Sequence, residues 1–443
     1  MKDAILTVQN KKALLVDVLI HSKGKSRDNT NSLDELSLLA ETAGAIVVGR
    51  ASQNREKPGN AWYVGKGKAE ELAGLARETG AEFVIFDNDL SPAQIRNLEE
   101  AVGVSVIDRA ELILAIFGTH ARTTQAKLQL ELAQLEYNLP RLKHLWGHLS
   151  RLAGGVRAMR GPGEKQLEVD RRLAFNRITT LKRELKKIQA RREKEVATRS
   201  EDFTVALVGY TNAGKSTLMN CLTGLDQMVE NKLFSTLDTK THIWEFASGQ
   251  KVLLSDTVGF IRNLPHNLVE SFHATLEEVR QADLLLHIVD VSSQDAESQI
   301  NAVNTVLDEI DCGNKDIIIV LNKIDRADRI EVEILRRKFP EAVVISALKA
   351  LGIEELEERL EKIISARQMV LTVKVPMENG RLLAYLHQHG IILDKTATDS
   401  YYKIRLRIGR RDLFKAKELG LTVKKTATKA PRHKELRRDR VSE

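Results

Sequence analysis

Cysteine is scarce in this sequence, and long apolar segments are lacking. The 443 residues include two cysteines, Cys221 and Cys312, and neither belongs to a CxxC or CxxH pattern of the kind that binds zinc or undergoes redox cycling. Both are predicted to be small buried side chains in a reducing compartment. No apolar run approaches the roughly 20 residues that cross a bilayer. Residues 1–12 also lack the apolar core of a signal peptide, so a cytoplasmic globular protein is expected.

Basic charge is unevenly distributed over the chain, whose formal net charge is +7. Residues 181–199 and residues 423–443 each carry eight lysines or arginines against three acidic residues. Clustered basic charge indicates a polyanionic partner. A solvated helix face and a disordered basic tail would account for the same pattern, so composition alone leaves both explanations open.

Strand and helix patterns alternate through the first hundred residues, which predicts a parallel sheet with helices packed on it. Residues 1–110 are therefore predicted to form an N-terminal α/β domain. Within it, Ser32 is expected to cap a helix with Glu35 as its capping-box partner. Ser91 is expected to cap a second helix that has Pro92 at its first position.

Residues 111–200 lack strand patterns, and apolar residues recur there at helical spacing on both sides of a glycine-rich segment, residues 154–163. This pattern predicts two long helices that form an antiparallel hairpin. Residues 368–420 follow the order strand, helix, strand, strand, helix, which is typical of a small α+β domain. Residues 421–443 are predicted to be a basic disordered tail.

A phosphate-binding loop occupies residues 209–217, where a predicted strand runs directly into the pattern GxxxxGK[ST]. Glycines let the backbone N–H groups point at a phosphate, and the next helix N-terminus adds a partial positive charge. Lys215 would supply a full charge to the outer phosphates, and Ser216 a hydroxyl to magnesium. The predicted nucleotide contacts in this loop are Gly209, Tyr210, Thr211, Asn212, Ala213, Gly214, Lys215, Ser216 and Thr217.

Three further motifs follow at the ends of predicted strands. In a DxxG pattern, Asp256 is placed to hold a magnesium-bound water and Gly259 to offer its N–H to the γ-phosphate. In an NKxD pattern, Asp325 can accept two hydrogen bonds from guanine donors that adenine lacks, and a short Ser-Ala motif can read guanine O6 through its backbone. The predicted contacts are Asp256, Thr257, Val258, Gly259, Asn322, Lys323, Ile324, Asp325, Ser346, Ala347 and Leu348.

A segment between the first two motifs is expected to close over magnesium when a γ-phosphate is present. Thr236 in this segment is the predicted magnesium ligand alongside Ser216, and the predicted catalytic residues are Lys215, Thr236 and Gly259. All the motifs lie at the carboxyl ends of strands, where open α/β sheets bind ligands. Residues 201–367 are therefore predicted to be a P-loop domain that hydrolyses GTP with magnesium. The closing segment consists of Phe234, Ser235, Thr236, Leu237 and Asp238.

Two positions bear on the mechanism. Phe260 follows the DxxG motif, where a Ras-like GTPase has a glutamine that orients water, so the catalytic group must come from elsewhere. Asn212 occupies the asparagine position of GxxNxGK, where its amide oxygen could hold a potassium ion that neutralises developing charge. The alternative is that Asn212 only shapes the loop.

The sequence resembles the HflX-type GTPases over nearly the whole chain. Two segments outside the GTPase motifs are specific to that family. Residues 154–168 resemble the family's GG…RGPGExQLE segment, and residues 63–72 resemble its GKGK segment. The resemblance implies a translational GTPase that binds the 50S ribosomal subunit and its rRNA. It also implies that the N-terminal domain and the hairpin reach toward the peptidyl-transferase centre, and it implies a role in splitting or rescuing stalled ribosomes under stress. Lys165, where the family commonly has threonine, and the tail beyond Gly420 depart from the family pattern.

Two other functions remain possible at this stage. The same GTPase could serve ribosome assembly or RNA modification on another RNA. The segment Gly65, Lys66, Gly67 and Lys68 could also form a second nucleotide site, although it lacks the GxxxxGK[ST] frame and could equally contact RNA phosphates. The expected fold class is α/β: an N-terminal α/β domain, a long helical hairpin, a P-loop GTPase domain and a small C-terminal α+β domain, in a monomer that binds GTP and GDP.

Overall fold

The computed structural model describes residues 8–20, 32–152, 162–198, 203–225, 233–234, 239–262, 277–398 and 400–421. These residues contain three separate sheets, of four, six and three strands, and a long helical hairpin. The predicted α/β fold class is confirmed. In the part of the chain that the structure describes, no helix is both long and apolar enough to cross a membrane.

The first sheet is parallel throughout, with strand order β2-β1-β3-β4. The central strand β1 is buried on both faces, as expected for a parallel sheet covered by helices on both sides. Its elements are β1 (Lys12–Ile20), α1 (Ser32–Thr42), β2 (Ile46–Arg55), α2 (Lys66–Thr79), β3 (Phe83–Phe86), α3 (Pro92–Val102), β4 (Ser105–Asp108) and α4 (Arg109–His120).

One of the two predicted caps in this region is present. Ser91 accepts a hydrogen bond from the backbone N–H of Gln94, and Gln94 returns one to complete a capping box. The capping box predicted for Ser32 and Glu35 is wrong. The Ser32 hydroxyl donates to Asp87 at 2.5 Å, and the Glu35 carboxylate is engaged by groups distant in sequence that are described below.

The hairpin consists of α5 (Thr124–Leu152) and α6 (Pro162–Thr198). Ion pairs join the two helices at Arg177 with Glu131 and at Lys182 with Glu136. Residues 154–161 of the predicted loop lie outside the described residues, and Pro162 and Gly163 already belong to α6. The apolar seam between the helices contains Leu128, Leu132, Leu135, Leu139, Ile178, Leu181 and Leu185.

The second sheet has strand order β10-β9-β8-β5-β7-β6, with β6 antiparallel to β7 and the other pairs parallel. The edge strand β6 was not predicted from the sequence. The elements are β5 (Phe203–Gly209), α7 (Lys215–Thr223), β6 (Lys240–Glu245), β7 (Lys251–Asp256), β8 (Leu284–Asp290), α8 (Ala296–Glu309), β9 (Ile317–Asn322), α9 (Arg329–Lys338), β10 (Val343–Val344) and α10 (Ile353–Arg367).

The third sheet is antiparallel with order β11-β13-β12, and two helices pack on one of its faces. Its strand–helix–strand–strand–helix order is the predicted one. The predicted basic tail, apart from Leu421, lies outside the described residues. The elements are β11 (Met369–Pro376), α11 (Gly380–His389), β12 (Gly390–Ala397), β13 (Tyr401–Ile408) and α12 (Arg410–Glu418).

Candidate functional site

The predicted phosphate loop connects the end of β5 to the start of α7. Gly209 has a φ angle of +153°, and a Cβ there would lie 2.3 Å from the carbonyl oxygen of Ile288. Gly214 has a φ angle of +93°, and a Cβ there would lie 2.4 Å from Nδ2 of Asn322. Both positions combine an unfavourable φ with a backbone or amide group in the way of a side chain, so this loop geometry requires glycine.

Lys215 lies inside the loop that it is expected to serve. Its ammonium group is buried and donates to the carbonyl oxygens of Gly209 at 3.1 Å and Tyr210 at 2.9 Å. Burial is the main cause that lowers the pKa of Lys215 to about 8. The Thr211 hydroxyl is also buried here and has no hydrogen-bond partner among the described residues. A phosphate oxygen would give both groups an acceptor.

One of the two predicted magnesium ligands, Ser216, is among the described residues, as is Asp256, which is predicted to hold a magnesium-bound water. The Ser216 hydroxyl donates to Oδ2 of Asp256 at 2.6 Å, which brings the end of β7 against the start of α7. A hydroxyl is a hard oxygen ligand, and magnesium usually takes only one or two groups from the protein and retains several waters, one of which a carboxylate can hold. The donor set therefore fits magnesium. No cluster of three or more His, Cys, Asp or Glu suited to a metal occurs among the described residues.

The DxxG segment lies directly on the phosphate loop. A Cβ at Gly259 would be 2.9 Å from Cα of Thr211 and 3.0 Å from Nζ of Lys215. The next residue, Phe260, donates its N–H to the Gly209 carbonyl at 3.1 Å and accepts from Thr211 N–H at 2.7 Å. Only a glycine allows the main chain to approach the loop this closely. The Phe260 side chain is buried and supplies no polar group to orient water.

The base-reading motifs meet at the far side of the loop. Asn322, at the end of β9, donates to the Ala213 carbonyl at 2.9 Å and accepts from the Ala347 N–H at 3.0 Å. It therefore joins the phosphate loop to the Ser-Ala segment. Lys323 is paired with Asp290 at 2.7 Å. Gly214, Asn322 and Ala347 thus belong to one connected set of turns.

Asp325 is held in place by the neighbouring Ser-Ala segment. The Ser346 hydroxyl donates to Oδ1 of Asp325 at 2.5 Å. This hydrogen bond is the main cause that lowers the pKa of Asp325. A carboxylate that stays ionised is the form that accepts two hydrogen bonds from guanine.

The closing segment is described only at its start. The ring of Phe234 packs edge-on against Phe117 of α4, with 4.7 Å between the ring centroids. The Leu233 N–H donates to the hydroxyl of Thr42 at the end of α1. Both contacts come from the N-terminal sheet region. The predicted roles of Ser235, Thr236, Leu237 and Asp238 lie outside the described residues.

An ion network between the two parallel sheets was missed by the sequence analysis. Glu35 accepts from the Tyr210 hydroxyl at 3.0 Å and pairs with Arg262 at 2.8 Å and with Arg109. The Arg262 N–H donates to the same Tyr210 hydroxyl at 2.9 Å. Arg109 is buried and also pairs with Asp87. The phosphate loop and the segment after DxxG are therefore both tied to α1.

The electrostatics of this network agree with its geometry. Burial is the largest influence on Arg109 and opposes its charge, but the nearby carboxylates of Asp87 and Glu35 outweigh it and raise the pKa of Arg109. Burial, aided by the Glu35 charge, raises the pKa of Tyr210, which therefore remains a neutral donor. Glu35 and Arg262 are separated by 227 positions. No local sequence pattern relates them.

These motifs lie in order at the strand ends of one sheet that has helices on both faces. Together they define a P-loop GTPase. Residues 204–323 match the family model described as 50S ribosome-binding GTPase. Residues 30–118 match the model for the GTP-binding GTPase N-terminal region, and residues 120–199 match the GTP-binding GTPase middle region.

The chain belongs to the HflX family of GTPases and is a GTP hydrolase. It is 42% identical over 405 residues to the GTPase HflX of Caldanaerobacter subterraneus, covering 91% of this chain and 92% of that protein. It is 42% identical over 375 residues to the GTPase HflX of Escherichia coli, covering 84% and 88%. A GTP-binding protein of Sulfolobus solfataricus, solved with GDP, is 25% identical with a TM-score of 0.43, covering 80% and 98%.

Proposed function

We propose that this GTPase acts in the cytoplasm, binds the 50S subunit through ribosomal RNA, and splits or rescues stalled ribosomes under stress. The observation that carries the proposal is the connection between the nucleotide site and the hairpin. Helix α6 ends at Thr198, and β5, which leads into the phosphate loop, begins at Phe203. The network around Glu35 adds a second connection from the loop to the N-terminal sheet. A change from bound GTP to bound GDP can therefore change the orientation of the hairpin.

In this proposal the site residues divide into three groups. The loop from Gly209 to Thr217 and Lys215 bind the phosphates, and Gly259 donates its N–H to the γ-phosphate. Ser216 and Thr236 would bind magnesium, and Asp256 would hold a magnesium-bound water. Bound magnesium supplies positive charge to the β- and γ-phosphates. Asn322, Lys323, Ile324, Asp325, Ser346, Ala347 and Leu348 surround guanine.

Hydrolysis should depend on the ribosome. Phe260 supplies no group to orient water, and in other GTPases the completion of such a site by a partner raises the rate by roughly 10³–10⁵. Large subunits should therefore stimulate GTP turnover well above the rate of the free protein. A free protein that already turns over at its maximal rate would contradict partner activation.

The glycine-rich segment of residues 154–163 supplies the test of the splitting role. Its arginines, Arg157 and Arg160, suit phosphate contacts, and its glycines let the backbone follow an irregular RNA surface. Replacing the segment with a short Gly-Ser linker should leave GTP affinity unchanged and weaken both 50S binding and the dissociation of 70S particles. Light scattering follows dissociation, and sedimentation follows binding. Wild-type performance of the replaced protein in both assays would remove this role, and binding only to precursor particles would favour ribosome assembly.

Potassium is proposed as a second cation. Asn212 has a φ angle of +60° and is exposed on the loop, so its amide is accessible beside the phosphates. Ribosome-stimulated hydrolysis should be faster in potassium than in sodium at equal ionic strength, and Asn212→Ala should abolish that difference. Equal rates in the two salts for the unmodified protein would leave Asn212 with a structural role only.

A further inference from the structure

Among the described residues, one face of the C-terminal sheet carries exposed side chains and is called the open face here. Helices α11 and α12 cover the face formed by alternate apolar residues of β11 and β13, and these residues form a buried cluster. The side chains between them point to the opposite face. On that face the three strands align Lys374, Lys403 and Thr396 in one row and Thr372, Arg405 and Asp394 in the next. Arg407 lies in a third row beside Val370 and Ile391.

This open face carries four cations and one acid, and its cations are poorly compensated. Lys374 and Lys403 lie directly opposite each other, an arrangement that destabilises an antiparallel pair. Both side chains, and that of Arg405, are exposed. Among the described residues, Lys403 and Arg405 form no ion pair within 4.0 Å, while the surface of the neighbouring GTPase domain has several such pairs. The like charges therefore cost free energy unless a polyanion covers them.

Part of the surface is already positioned for such a partner. The Lys374 ammonium group donates to the Tyr401 hydroxyl at 3.0 Å and lies 4.2 Å above the Tyr401 ring. Arg407 is anchored by a hydrogen bond to Ser365 at the end of α10, at 2.9 Å. Binding then orders fewer flexible side chains, which lowers its entropic cost.

We propose that this face, formed by Lys374, Lys403, Arg405 and Arg407, binds the phosphate backbone of ribosomal RNA. Successive cations of β13 point to the same side at intervals of about 7 Å, which suits a polymer with regularly repeated charge. Open faces of small sheets backed by helices are a recurrent platform for RNA. This inference rests on the proposed ribosome binding, and it adds an RNA contact separate from the hairpin and the nucleotide site.

The test uses the full-length protein with a non-hydrolysable GTP analogue and purified 50S subunits. The variant Lys403→Gln/Arg405→Gln removes two charges from the open face. The matched control, Arg381→Gln/Lys417→Gln, removes two exposed charges from the helical side of the same domain. Affinity is measured over a series of salt concentrations, because each phosphate contact contributes about 0.7–0.9 to the slope of log affinity against log salt.

We expect the open-face variant to reduce the steepness of that slope by about 1.4–1.8 and to lose affinity, while the control keeps the slope of the unmodified protein. Hydroxyl-radical footprinting of the rRNA should lose one protected segment only in the open-face variant. An unchanged slope and footprint would overturn this inference while ribosome binding stands. Weaker binding without any lost rRNA protection would assign the face to an acidic ribosomal protein and also overturn it. If the unmodified protein fails to bind 50S, the proposed function itself fails.

Discussion

The two parallel sheets of this chain have related architectures and opposite chemistry at the carboxyl ends of their strands. In the GTPase sheet, β5 turns into the phosphate loop, where the buried ammonium group of Lys215 adds a positive charge. In the N-terminal sheet, the corresponding edge carries carboxylates: Asp17 near the end of β1, Asp87 after β3 and Asp108 at the end of β4. Burial and the Asp87 charge raise the pKa of Asp17. An edge of this kind repels phosphate.

The difference teaches that a Gly-Lys pair does not by itself make a phosphate site. In the N-terminal segment, the Gly65 N–H already donates to Gln53 at 2.9 Å, and Lys68 pairs with Glu71 at 2.7 Å. The Gly65 N–H and the Lys68 ammonium group therefore already have partners within the domain. In the GTPase loop, by contrast, the Lys215 ammonium group donates to carbonyl oxygens of the loop itself. The spacing of GxxxxGK[ST], which follows a strand without interruption, separates the two cases.

The carboxyl edge of the N-terminal sheet instead contacts the GTPase domain. Glu35 and Arg109 from this side reach Tyr210 and Arg262 on the other side. One sheet thus contributes the nucleotide site, and the other contributes charges that fix the loop and the segment after DxxG.

Asp325→Asn should change the preferred nucleotide from GTP to xanthosine triphosphate. The carboxylate accepts two donors of guanine, and a site left with mismatched buried polar groups discriminates by about 10⁴–10⁵. Competition binding with GTP and xanthosine triphosphate measures the change. Loss of GTP binding without any gain for the xanthine nucleotide would contradict the base-reading role of Asp325.

Glu35→Gln should loosen the junction between the sheets. The change removes one of the two ion pairs that the buried Arg109 forms among the described residues, and it removes the ion pair of Arg262 with Glu35. Breaking a buried ion pair costs roughly 3–5 kcal/mol, and the partial exposure of Glu35 and Arg262 places the expected loss in the free energy of unfolding at the lower end. Urea unfolding measures it.

The matched control for this change is Glu41→Gln, also on α1. Glu41 is exposed, so its replacement should change the free energy of unfolding by less than about 0.5 kcal/mol. Equal effects of the two substitutions would show that the network contributes nothing specific to the junction.

The GTPase motifs could be predicted from the sequence because each is contiguous and each follows a strand. Lys215 and Asp325 have their roles assigned by spacing alone. The network around Glu35 could not be predicted, because it joins side chains from four elements that meet only after folding. The S-x-x-E pattern of Ser32 and Glu35 is that of a local capping box, and it therefore predicts a hydrogen bond within α1 instead. Long-range ion pairing prevailed over the cap.

The edge strand β6 was missed for a different reason. Its sequence begins with lysine, threonine and histidine and contains two adjacent apolar residues, of which only Trp244 is buried. The exposed Ile243 stands next to the buried Trp244, so the clean alternation expected of a strand with one solvated face is absent. The strand is identified by its antiparallel pairing with β7, which a single sequence does not reveal.

Binding of GDP should weaken as the pH rises through the pKa of Lys215, and binding should take up protons. The pKa of Lys215 in the free protein is lowered to about 8, mainly by burial. The protonated form binds phosphate, so the charged fraction available falls about tenfold between roughly pH 7 and pH 9. Calorimetry in buffers of different ionisation enthalpy measures the proton uptake. Guanosine, which lacks phosphates, is the control and should show none.

The smallest effect is expected from Lys66→Ala/Lys68→Ala in the N-terminal sheet. These lysines begin α2, and the groups near them are already bonded within the domain. The variant should therefore bind one GTP per chain, with an affinity within about twofold of the unmodified protein, because Lys215 and Asp325 remain intact. Calorimetric titration with GTP and separately with ATP gives the stoichiometry of each. The contrary result would be a second equivalent of either nucleotide that binds the unmodified chain and is lost in the variant. It would place a phosphate site at the carboxyl edge of the N-terminal sheet, despite the carboxylates of Asp17 and Asp87.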